Sequence, residues 1–390
     1  MMKLRELKPV LILGLCAFVM ILAEFIPISL LTNIANTLKT EPSIIGVTVS
    51  IYATIGATSG IIFTLILNKF NRKKLFLLIF TILFIGNTLI IYSENIFNFF
   101  ILRSLCAIGH GIFWAVVADF SIKIVSIELR GIASSIIFSS IPIATIVGLP
   151  ILNYIGNQFN WYLAFSLIST FSVICFLLII FFIPNIDTEF KNEPIVFKKL
   201  FINKLSWILV LITGTVSIAH FCSYTYIEPY IRTLTFFSKQ NLVIILIVFG
   251  LSGVIGNIIT IKFMNNFIER ISLIFLILMS FSLLFLFLFG CKINFYTCLI
   301  FVFIWGISIS ILFTSLQTWV IIVSEKNSAV MSAFNSAILN YSIGIGSILG
   351  AYIISNYNII LIFLASSFFL FLGIMQLTYT LITFPKNHRN

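Results

Sequence analysis

The chain has 390 residues and a net charge of +11, with only 9% charged side chains against 60% hydrophobic ones. A water-soluble domain carries about 25% charged residues, so a soluble core is excluded. The positive charge sits in short loops between apolar runs, which makes it a topology signal and argues against a nucleic-acid partner.

Lys3, Arg5 and Lys8 precede an apolar segment running from Val10 to Thr32. The core of a signal peptide is about 7–15 residues, and this segment is longer and lacks a small-residue cleavage site. It reads as a retained first span. A membrane helix needs roughly 20 mostly apolar residues. Such runs follow at 10–32, 44–66, 75–93, 97–121, 131–152 and 161–183, then at 205–233, 240–262, 272–290, 295–323, 329–354 and 359–384. Between the two sets lies the longest polar stretch, PNIDTEFKNEPIVFKKLFINK, at 184–204. The expected fold is therefore an all-α membrane protein with twelve transmembrane helices in two pseudo-symmetric six-helix halves. The halves are 1–183 and 205–390, with 184–204 as a cytoplasmic linker. With the N-terminus inside, 18 Lys and Arg residues fall on the cytoplasmic side and 4 outside, leaving Arg103 within a span. That asymmetry places both termini in the cytoplasm.

The six cysteines form no C-x-x-C pair and most fall within spans, where they read as small apolar side chains. Cys291 and Cys298 could meet near an external loop, though nothing requires it. No phosphate-binding glycine loop and no metal-ligand spacing is present, and no cofactor is expected. Without a nucleotide-binding domain, transport would draw on an ion gradient or on the solute itself.

Ionisable groups in hydrocarbon are costly and mark functional sites by default. Glu24 lies within the first span, just ahead of Pro27. It reads as a protonatable or solute-binding carboxylate, with a structural ion pair as the alternative. In the fourth span Arg103, His110 and Trp114 are spaced by 7 and 4 and share one face. A cation, an imidazole and a flat ring together suit a sugar-like solute. Arg103 reads better as a structural residue, with Glu24 as a possible partner. Asp119 lies near the cytoplasmic end of the same span and suggests a structural or gating salt bridge. In the seventh span His220, Tyr224 and Glu228 follow each other at i, i+4 and i+8. Glu228 is near the outer end, where Arg232 could simply pair with it. In the tenth span Gly306, Ser310 and Gln317 form one stripe, with Trp305 beside it. Asn335 and Asn340 follow in the eleventh. Such amides glue helices as readily as they bind solute.

Several stretches resemble the major facilitator superfamily, and within it the bacterial sugar efflux transporters. They are EFIPISLL (24–31), NRKKL (71–75), HGIFWAVVA (110–118), VGLPILNYIGNQFNW (147–161), AHFCSYTYIEPY (219–230), IWGISISI (304–311) and IGIGSILG (343–350). The resemblance implies the major facilitator fold, with spans 1, 4, 7 and 10 lining a central cavity. It also implies efflux by proton antiport through alternating access. Glu24, His110, Trp114, His220, Tyr224, Glu228 and Trp305 fall on those four spans. The GLP of the fifth span, with Gly156, resembles the superfamily's antiporter motif in shortened form. The loop after the second span departs from the pattern: Thr64, Asn68 and Asn71 stand where a Gly, an Asp and a Gly are usual, while Lys69, Arg72, Lys73 and Lys74 remain. Arg72 and Lys73 are thus read as structural or gating charges, without the acidic partner of the usual cytoplasmic gate.

The expectation is a proton-coupled exporter of sugars or related small polar solutes in a bacterial inner membrane, acting as a monomer. A multidrug or nucleoside antiporter is the alternative. An intramembrane enzyme would need a tight constellation such as H-E-x-x-H or a Ser–His pair, and neither occurs.

Overall fold

The computed structural model describes residues 2–66, 70–185, 204–324 and 328–384. Most of the segment read as a linker lies outside the described residues, as do Asn68, Lys69 and the side chains of Thr64, Asp119 and Cys291. Among the described residues, twelve helices are long and apolar enough to cross a membrane. In order these spans are Glu6–Ser29, Pro42–Phe63, Arg72–Ile90, Ile96–Lys123, Ile127–Gln158, Trp161–Phe182, Lys204–Arg232, Lys239–Thr260, Phe267–Phe289, Phe295–Ser324, Val330–Asn356 and Leu361–Thr383. They are numbered 1 to 12 below. The fifth is longer than its apolar run because the helix continues through Asn153 and Asn157 to Gln158. The chain packs as two compact units, Met1–Lys191 and Asn192–Asn390.

Backbone polar groups in lipid must be satisfied within the segment, so the spans are helical. Spans 1 and 7 depart from this in the same way. The first helix ends at Ser29, and Leu30 leaves helical geometry (φ −130°, ψ 20°) before a short helix, Leu31–Thr37, resumes. In span 7 the helix Lys204–Tyr224 gives way at Tyr226 (φ −112°, ψ 18°) to the short helix Ile227–Arg232. Pro27 and Pro229 lie close to these breaks, and each removes one backbone hydrogen bond. Span 5 holds a third irregularity, a π-turn at Ala144–Gly148 between Pro142 and Pro150.

Small residues set the closest helix approaches. A β-carbon on Gly111 of span 4 would lie 1.9 Å from the Gly56 carbonyl oxygen of span 2. A β-carbon on Gly306 of span 10 would lie 2.9 Å from the Phe249 carbonyl oxygen and 1.8 Å from Ser252 Oγ, both in span 8. The packing of span 2 on span 4 is thus repeated by span 8 on span 10. Spans 1 and 5 are likewise matched by spans 7 and 11. Gly156 faces Leu30, and Gly350 faces Tyr226, at 2.6 and 2.5 Å from where their β-carbons would be. Leu30 and Tyr226 are the two break residues.

These contacts set the two halves in register: Leu30 with Tyr226, Gly111 with Gly306, and Gly156 with Gly350. Glu24 precedes Leu30 by as many residues as His220 precedes Tyr226. His110 and Trp305 each precede the equivalent glycine. The pair Glu24–His110 in one half therefore corresponds to His220–Trp305 in the other.

A direct prediction follows from the glycine packing. Gly111→Ala forces a methyl group into backbone and should lower stability by about 3 kcal/mol. Gly253→Ala, whose β-carbon would meet nothing closer than 4.0 Å, should be neutral within about 0.5 kcal/mol. Thermal midpoints of the two purified variants in detergent decide this.

Candidate functional site

In the first half, span 1 supplies Glu24, span 2 Tyr52, and span 4 Arg103 and His110. All four are buried. Glu24 Oε2 lies 3.4 Å from His110 Nε2, while Glu24 Oε1 makes no hydrogen bond among the described residues. A carboxyl and an imidazole at this distance can share or exchange one proton. The neutral pair and the ion pair then hold the same number of protons, so only gain or loss of a proton changes the net charge of the site.

Arg103 bonds the backbone of span 1 and not the Glu24 carboxyl expected as its partner. Its guanidinium donates to the Ala23 carbonyl and, at 2.9 Å, to the Glu24 carbonyl. The physical reason is Pro27. Residue 27 has no N–H, so the Ala23 carbonyl finds no donor four residues on within the helix and accepts from outside it. Arg103 supplies it. The same guanidinium carbon lies 4.1 Å from the Tyr52 ring centre, a cation–π contact. The cation is thus housed by two carbonyls and a ring face, and the Glu24 carboxyl is left to His110. The Tyr52 ring also meets His110 edge-on at 5.2 Å. One turn further along span 4, Trp114 lies 6.2 Å from His110 and stacks on Phe138 of span 5 at 6.3 Å.

In the second half, His220 sits in an aromatic box. Tyr224 and Phe249 stack parallel to it, at 5.0 and 6.1 Å, and Phe221, Trp305 and Phe313 meet it edge-on. Trp305 Nε1 donates to His220 Nδ1 at 3.1 Å. An indole nitrogen only donates, so Nδ1 is unprotonated and the ring is neutral. Glu228 is fully buried and pairs with Arg232 of its own helix.

The remaining sequence candidates lie elsewhere. Gln317 donates to Ser332 Oγ at 2.6 Å and accepts from Asn335 at 2.5 Å, joining spans 10 and 11. Ser310 donates to the Gly253 carbonyl, so this part of the stripe faces span 8 while Gln317 faces span 11. Lys73 Nζ donates to the Ile180 carbonyl at 2.7 Å. That carbonyl is among the unpaired ones at the C-terminal end of span 6, where a cation is favoured. Arg72 beside it is 1% exposed. Tyr52, Phe249 and Phe313 complete the two clusters and were not singled out in the sequence. Tyr52 could have been, because it lies one turn before Gly56 on the face toward span 4. Among the described residues no group of three His, Cys, Asp or Glu side chains could hold a metal ion.

Twelve apolar spans in two matched halves make a polytopic membrane protein, with a buried carboxyl–imidazole pair in the first half. The sequence model of the Major Facilitator Superfamily matches residues 13–338, and the chain belongs to that superfamily. It is 28% identical over 357 residues to a probable sugar efflux transporter of Helicobacter acinonychis (strain Sheeba), covering 90% of each chain. Its fold is similar to crystal structures of a bacterial homologue of the human lysosomal transporter Spinster. The unoccupied inward-facing form matches with a TM-score of 0.79 at 13% identity over 98% of each chain. The occupied form matches at 0.76 and 12% over 97% of each.

Proposed function

We propose that this chain is a proton-coupled exporter of sugars or related small polar solutes across a bacterial inner membrane. It works as a monomer with both termini in the cytoplasm. The observation that carries the proposal is the buried Glu24–His110 pair beside Arg103. A buried carboxyl with one unpaired oxygen gains or loses a proton at a large change in the cost of burial. Each protonation state then favours a different arrangement of the helices around it, which is what coupling requires. The second half has no carboxyl at the matching position and offers rings and an imidazole instead. Aromatic faces pack against the C–H faces of a sugar while polar tips bond its hydroxyls. The similarity to a probable sugar efflux transporter supports the sugar reading.

The rings of Phe221, Tyr224, Phe249 and Phe313 around His220 also favour a second reading, export of flat apolar drugs or nucleosides. A solute panel in proteoliposomes with an imposed pH gradient separates the two. Arabinose or a thiogalactoside should accumulate against its own gradient and compete with other sugars. Accumulation of nucleosides or apolar cations, with no sugar moved, would overturn the sugar assignment.

A further inference from the structure

Trp305 and His220 carry a consequence that goes beyond solute class. Trp305 is fully buried, at 0% exposure, so its ring does not reach a solute. Its one polar atom is spent on His220 Nδ1. The imidazole carries a single proton when Nδ1 accepts, and that proton is then on Nε2. His220 Nε2 makes no hydrogen bond to a described residue, and the same is true of the Tyr224 hydroxyl one turn on. Both side chains keep slight exposure, 4% and 6%. Phe221, Tyr224, Phe249 and Phe313 pack against the rest of the His220 ring.

We infer that Trp305 is a positioning residue that fixes His220 as the Nε2–H tautomer. His220 thereby presents a hydrogen-bond donor, beside the Tyr224 hydroxyl, to an oxygen of a polyhydroxylated ring. This rests on the sugar reading for the ligand, and on the geometry of the second half alone for the tautomer. The tautomer decides specificity. An Nδ1–H ring would turn a lone pair toward the solute and favour donors. The Nε2–H ring favours acceptors and rejects an analogue whose acceptor has been removed, because the donor is then left unpaired in a buried site.

Among the described residues of spans 7, 8 and 10, Tyr224 is the one other titratable group against His220. The ring is therefore set by its partner Trp305 and not by a neighbouring charge.

Two measurements test the inference. The first is solid-state nitrogen NMR of protein labelled at its three histidines, with the His220 signals assigned by their loss in His220→Gln. The expected wild-type spectrum shows Nε2 protonated and Nδ1 bare, and Trp305→Phe should shift His220 toward the Nδ1–H form. An Nδ1–H form in the wild type, or an unchanged spectrum in Trp305→Phe, overturns the inference. This arm needs no solute, so it stands apart from the sugar reading. The second is thiogalactoside binding to variants that elute as monodisperse protein. Trp305→Phe should weaken binding about tenfold, a loss of about 1.4 kcal/mol. In the His220→Gln background, where an amide N–H replaces Nε2–H, the same change should weaken binding less than about threefold. Equal losses in both backgrounds would mean that Trp305 acts through packing, and would overturn the positioning role. Absence of thiogalactoside binding by the wild type would sink the sugar reading and leave the tautomer result intact.

Discussion

Glu24→Gln is expected to uncouple the carrier without stopping it. The amide has the size of the carboxyl and can still hydrogen-bond toward His110, so the helix contact 3.4 Å across is kept in shape. It holds no exchangeable acidic proton. Solute should therefore still exchange down its own gradient, at rates within about threefold of the wild type. Accumulation driven by a pH gradient should fall by about tenfold or more, equal to about 1.4 kcal/mol of lost coupling. Counterflow and gradient-driven uptake, measured in the same vesicles, give the two numbers. Full coupling in Glu24→Gln would remove this residue from the proton path. His110→Gln is the complementary change. It leaves the Glu24 carboxyl buried without a side-chain partner among the described residues, and it should lower coupling and stability together.

The second large effect belongs to Arg103. Arg103→Met removes both carbonyl contacts and the cation over Tyr52, in a site with 0% exposure. Breaking a buried charged arrangement by removing one member costs about 3–5 kcal/mol. The specific cause proposed here can be isolated. Pro27→Ala restores an N–H that can bond the Ala23 carbonyl from within the helix. If Arg103 is there to satisfy that carbonyl, Pro27→Ala should recover about 1 kcal/mol of the loss. A double-mutant cycle on thermal or denaturant stability measures the recovery. Strict additivity of the two changes would show that Arg103 does not serve the Pro27 gap. Arg103→Lys should rescue little, since one ammonium cannot reach two carbonyls and also lie flat on a ring.

The spans were legible because a membrane helix writes itself as a long apolar run, and all twelve stand where those runs occur. Glu24, His110 and His220 were legible for the same reason in reverse: each interrupts such a run at high cost. The partners were less legible. Arg103 looked like a counter-ion because sequence shows charge and not carbonyls. The signal was present in Pro27, which strips the donor for residue 23 and calls for another. The link between His220 and Trp305 spans 85 positions, and it exists only once spans 7 and 10 are packed. Gln317 could be read from sequence as a solute contact or as a glue between helices. Ser332 and Asn335 on the next span bond it. The register of the two halves was hidden because the matched residues differ in chemistry, glutamate against histidine and histidine against tryptophan. Only the glycines and the helix breaks beside them are held in common.

The central claim is that solute leaves the cell in exchange for a proton. Everted membrane vesicles with an acidic lumen and an entrapped pH dye test it most directly. Adding arabinose or a thiogalactoside outside should raise the lumenal pH as solute enters and protons leave. Solute uptake with no change in lumenal pH, or with further acidification, would contradict the account.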